Sequence, residues 1–110
     1  MAFSEVRLGA SRPADTNNAT LYTVPASTDT VIKNIQICNI TTSAATCRVF
    51  LTPSGGTADQ TTAILYDFNI PANQSINWEL WQVLTVSGTI VVQSGTASAL
   101  TFTASGMEIT

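Results

Sequence analysis

Apolar and polar residues alternate with a period of two in short runs along this chain, and the runs stop at clusters of Pro, Gly, Asn and Ser. Residues 3–8, 20–24, 31–40, 46–52, 64–70, 75–84, 89–93 and 100–109 read as strands, rich in the Val, Ile, Thr and aromatic side chains that suit a pleated surface. Pro25-Ala26-Ser27, Pro53-Ser54-Gly55-Gly56, Pro71-Ala72-Asn73, Ser87-Gly88 and Gly95-Thr96-Ala97-Ser98 supply turns between them. Alternation assigns faces. In 31–40, Val31, Lys33, Ile35 and Ile37 share one face, and Ile32, Asn34, Gln36 and Cys38 the other. Lys33 is a misfit on its face and is expected near a strand end, where its stem packs and its amine reaches water. In 64–70, Ile64, Tyr66, Phe68 and Ile70 point one way; in 75–84, Ile76, Trp78 and Leu80 oppose Asn77, Glu79 and Trp81. Gly106 interrupts the last strand and predicts a bulge or bend there.

No stretch carries helical periodicity. Strands recurring at roughly 8–12 residue spacing with turn residues between them predict an all-β fold. The expected architecture is a single antiparallel β-sandwich of about eight strands, jelly-roll-like. Residues 1–110 form one domain in this reading, with 1–19 an extended N-terminal segment that contacts neighbours.

Composition removes most chemistry. The chain has no histidine, 10% charged residues, 45% hydrophobic residues and a net charge of -3. Without histidine there is no Ser-His-Asp or Cys-His arrangement. Asp67 and Glu79 lie on neighbouring predicted strands, but two solvated acids are a better reading than a glycosidase-like pair. Ser54-Gly55-Gly56 is followed by no Gly-Lys-Ser/Thr and no helix, so it is not a phosphate loop. The four basic residues Arg7, Arg12, Lys33 and Arg48 form no run, which argues against nucleic acid. No apolar stretch is long enough for a membrane-spanning helix, and the N-terminal residues lack a secretory pattern, so folding in a cytoplasm is expected. The expectation is a non-enzymatic protein with no metal and no cofactor. Cys38 and Cys47 flank a Thr41-Thr42-Ser43-Ala44 turn and would face each other in a hairpin, either as a disulfide or as two buried thiols. Asn18, Asn39 and Asn73 each begin an Asn-x-Ser/Thr triplet, which carries little weight without a secretory signal.

What remains is a surface built from Thr, Ser, Asn and Gln. Such a low charge suits a protein whose surface is covered by neighbours. If Trp78 faces the core, Trp81 faces outward beside Glu79, as an interface residue, a loop-covered side chain or a sugar platform. The interface candidates are Trp81, Ile32 from the outer face of the third strand, Tyr22, and Phe3, Arg7 and Arg12 from the N-terminal segment.

The segments Leu21-Tyr22-Thr23-Val24-Pro25-Ala26, Val31-Ile32-Lys33-Asn34-Ile35, Val49-Phe50-Leu51-Thr52-Pro53-Ser54-Gly55-Gly56, Ile70-Pro71-Ala72-Asn73 and Ser105-Gly106-Met107-Glu108-Ile109-Thr110 follow in an order that resembles the small β-sandwich virion proteins of tailed bacteriophages. The resemblance covers most of the chain and rests on turn and strand signatures. It implies a capsid cement or decoration protein, or alternatively a tail, baseplate or fibre component that touches host surface glycans. It implies self-assembly, often as a homotrimer, contact with other virion proteins such as the major capsid protein, synthesis in the host cytoplasm and a place in the virion. The resemblance brings no catalytic residues to assign.

Overall fold

The computed structural model describes residues 2–110. It holds eight strands: β1 (Phe3–Ser11), β2 (Ala19–Thr23), β3 (Asp29–Asn39), β4 (Ala45–Thr52), β5 (Ala63–Ile70), β6 (Ser75–Leu84), β7 (Thr89–Ser94) and β8 (Leu100–Ile109). They form two four-stranded antiparallel sheets, β1-β8-β3-β6 (sheet A) and β2-β7-β4-β5 (sheet B). This strand order is that of a jelly roll. Residues 3–11 of the segment expected to reach outward are laid into sheet A as its edge strand β1.

The inner faces make one core. Ile32, Ile35, Ile37, Leu100, Phe102 and Ala104 come from sheet A, and Cys47, Val49, Ile70, Ile90 and Val92 from sheet B; all are buried. Cys47 and Cys38 do not meet. β3 and β4 belong to different sheets, so the chain between them crosses from one sheet to the other and is not a hairpin turn. Both thiols are free. Burial pushes the Cys47 thiol up to about 12.

Bulges decide which residues face inward. In sheet A the register slips at one level across the strands: Arg7/Gly9 of β1 and Ile32/Asn34 of β3 against β8, and Ile32/Asn34 of β3 against Gln82/Glu79 of β6. The extra residue on β3 is Lys33, which inverts the parity of the strand. Thr30 and Ile32 point inward before it, Ile35, Ile37 and Asn39 after it. The expectation that Ile32 lies on an outer face is therefore corrected: Ile32 is 0% exposed. Lys33 sits on the bulge itself and is exposed, which removes the misfit. Gly106 pairs with both Ile32 and Val6 beside this level, but β8 runs through it unbroken: the bulge expected in the last strand is carried by its two neighbours, with the extra residues on β1 and β3.

A second bulge lies in β5, where Tyr66 and Asp67 together oppose Arg48 of β4. Leu65 and Phe68 flank it and pair with the core residues Val49 and Cys47. Tyr66 consequently does not share a face with Phe68, as strict alternation had required. Asp67 takes a left-handed backbone, φ 53°.

One buried polar side chain knits the end of the sandwich away from the termini. Asn39 donates to the carbonyls of Ser43 (2.9 Å) and Ile70 (3.0 Å) and accepts from the amide (2.9 Å) and hydroxyl (2.7 Å) of Thr41. Its polar atoms are thereby satisfied, and at 1% exposure it offers no room for a glycan.

Candidate functional site

Register places a continuous set of side chains on the outer face of sheet A. Across the strands, Glu5 pairs with Met107, Met107 with Val31, and Val31 with Val83; the next row is Phe3, Ile109 and Asp29. Paired residues in a sheet share a face, so Met107, Val83, Phe3 and Ile109 form one apolar field on the terminal side of the bulge level, with Val31 beneath them at 5% exposure. Trp81 adjoins it. Trp81 is 64% exposed, Phe3 62% and Val83 56%. On the far side of the bulge level the same face carries Gln36, Cys38, Asn77, Thr101 and Thr103. The bulges thus divide one sheet face into an apolar half and a largely polar half.

Charges frame the apolar half. The Lys33 ammonium stands over the Trp81 ring, 5.0 Å from its centroid, which holds the indole in place while leaving it open to a partner. Glu5 and Arg7 lie on β1 at the opposite edge of the sheet. A second, mainly apolar opening, of about 300 Å³, separates the β5 and β6 edges and is lined by Leu65, Phe68, Ile76, Asn77 and Trp78.

Of the residues singled out from sequence, Phe3, Arg7 and Trp81 are brought to this one face. Arg12 lies past the end of β1, on the loop at the other end of the sandwich. Ile32 is in the core. Tyr22 is half-buried between the sheets: its hydroxyl donates to Glu108 Oε2 (2.5 Å) and accepts from the Thr30 hydroxyl (2.8 Å). It ties β2 of sheet B to β3 and β8 of sheet A and presents no free anchor. Sequence reading missed Glu5, Val31 and Val83 as face members. The outward parity of Met107 and Ile109 after Gly106 was a usable signal; Val31 was hidden by the parity change at Lys33.

Burial is the first cause, and the Glu108 hydrogen bond the second, of a Tyr22 hydroxyl pushed from 10.0 up to about 12. The unfolded chain ionises this phenol near pH 10 and the folded chain resists until about 12. The Tyr22 contribution to stability is therefore whole below pH 10 and is lost as pH climbs through that window. Tyr22→Phe is expected to cost about 1 kcal/mol at neutral pH. It is also expected to flatten the alkaline fall, which urea unfolding across pH would read; an unchanged alkaline slope would sink this assignment.

Asp67 of β5 and Glu79 of β6 lie in different sheets, on the outer faces of opposite sides of the sandwich, so the carboxylate pair does not form. Among the described residues no three His, Cys, Asp or Glu side chains gather as a metal site.

The fold is shared with a solved structure of the Gx strain of infectious bursal disease virus, at a TM-score of 0.53 and 12% identity, over 97% of this chain and 31% of that one. The infectious bursal disease virus VP2 subviral particle aligns over 97% of this chain and 32% of that one, with 14% identity and a TM-score of 0.47. At these identities the likeness is one of fold. The chain spans about a third of the length of the chains it matches. No protein-family model and no curated protein sequence matches it.

Proposed function

We propose that this chain is a non-catalytic structural subunit of a virus particle, and that it serves as a capsid cement or decoration protein. The observation that carries the proposal is the apolar half-face of sheet A. A jelly roll that has already closed its core still exposes Trp81, Phe3 and Val83 on one side. A fully buried side chain of this size is worth roughly 1.5–3 kcal/mol, which is enough to hold a subunit on a shell once several act together. The β-sandwich shared with a virus structure and the resemblance to small phage virion proteins support the same reading. In this reading the subunits assemble as homotrimers and rest on the major capsid protein, and the field around Trp81 seats each subunit on its neighbours.

The test is the copy number of this chain in purified phage particles, measured against the major capsid protein by quantitative mass spectrometry. A ratio near that of the capsid protein is the expected result. A few copies per particle would replace cement with a tail, baseplate or fibre position. Absence from particles would overturn the virion reading. On particles stripped and re-decorated in vitro, Trp81→Asp is expected to abolish re-binding while the free protein keeps its thermal midpoint.

A further inference from the structure

The outer face of sheet B carries a feature that shell contact through sheet A does not use. Two adjoining cavities of about 270 and 420 Å³ lie there, flanked by the 12–18 loop and the 53–62 loop. Arg48 and Gln93 line both. The Arg48 guanidinium is fixed twice. Its Nε and Nη2 donate to the two carboxylate oxygens of Asp67 at 2.7 and 3.2 Å, and its plane lies 4.0 Å from the Tyr66 ring centroid. The β5 bulge builds this group, because it turns Tyr66 out of the core and sets Asp67 opposite Arg48. Gln93 is oriented as well: its amide donates to the Thr16 carbonyl at 2.9 Å, and its own carbonyl oxygen is an acceptor. Gln60 comes within 3.4 Å of the Tyr66 hydroxyl from the loop side.

We propose that this groove binds a neutral oligosaccharide. Charge selects the class. Arg48 is balanced by Asp67, and Asp59 adds a second negative charge in the adjoining cavity, so an anionic ligand is opposed. No three metal-ligating side chains gather here. The lining is mostly polar; its apolar members are Cys47, Ala58, Phe50 at the floor and the Tyr66 ring, which is 43% exposed. Fixed planar groups of both hydrogen-bonding senses beside an aromatic face match a sugar, whose hydroxyls donate and accept in the ring plane and whose C–H face is apolar. Two cavities in series suit a chain of rings better than a single ring. The groove lies on the side of the sandwich opposite the apolar half-face, so a subunit seated through sheet A turns it to solvent.

The experiment is a titration of the intact ¹⁵N-labelled protein with maltoheptaose, cellohexaose and chitohexaose, each to about 10 mM, a range that detects dissociation constants near 1 mM. At least one probe is expected to shift the Arg48 Nε–H and the side-chain amides of Gln60 and Gln93. Tyr66→Ala and, separately, Gln93→Ala are each expected to weaken binding about tenfold. Trp81→Ala is expected to leave it unchanged. Silence at the groove with all three probes, or shifts that follow Trp81, would overturn the proposal and leave the particle copy number untouched.

Discussion

Gly106→Ala is expected to destabilise the protein by about 3 kcal/mol or more, read by urea unfolding. A Cβ at this position would lie 2.1 Å from the Val31 carbonyl oxygen, 3.1 Å from its carbon and 3.2 Å from the Ile32 Cα. All three atoms are backbone, so no side chain can rotate away. The only relief is to part β8 from β3 at the bulge level, where Ile32 anchors the core. Gly55→Ala is the control. Gly55 has φ 74° and nothing within 4 Å of a new Cβ, so only left-handed strain applies, about 1 kcal/mol. A Gly106→Ala loss no larger than that of the control would mean that the two strands separate easily and that the close approach is not what holds the bulge.

Asn39→Leu is expected to be the second large loss, about 2–3 kcal/mol in the same assay. The leucine keeps the branching but is larger than the asparagine it replaces, and it leaves the buried Ile70 carbonyl without its donor and frees the 40–44 turn from β3. Asn39→Asp separates the contributions further. It keeps the acceptor for Thr41, removes both donors, and places a carboxylate where Asn39 is 1% exposed. Burial raises the pKa of such a group, so this variant is expected to lose stability as pH rises through the carboxylate range, opposite in sign to ordinary acid denaturation. A pH-independent loss would mean that water enters the site.

Strand positions were legible in the sequence because they rest on local chemistry: β-branched runs, Pro and Gly stops, and period-two alternation. Gly106 marked the bulge level for the same reason, though not the neighbouring strands that carry the extra residues. Faces were legible only until a bulge intervened. In β3 a cue existed, since Ile32 and Ile35 are both apolar yet three residues apart, a spacing that no regular strand can turn to one core. In β5 there was none: Ile64, Tyr66, Phe68 and Ile70 alternate without fault, and the bulge becomes visible only when Arg48 of β4 meets Asp67. Cys38 and Cys47 misled through proximity, because a short connection between sheets has the same length as a hairpin. The apolar half-face and the sheet B groove each draw on strands remote in sequence, so neither leaves a motif.

The order of the strands also governs time. Of the six pairings, only β4–β5 joins consecutive strands, while β1 pairs with β8 from opposite ends of the chain. Closing such separations costs entropy before any contact repays it, so folding is expected to be slow, in the millisecond-to-second range of non-local β proteins. The same wiring resists reversal. No strand can peel away as a local hairpin except at β4–β5, so opening the sandwich means breaking distant pairings together. A chain wired in this way would be expensive to form once and then hard to unravel by proteases, shear or tension.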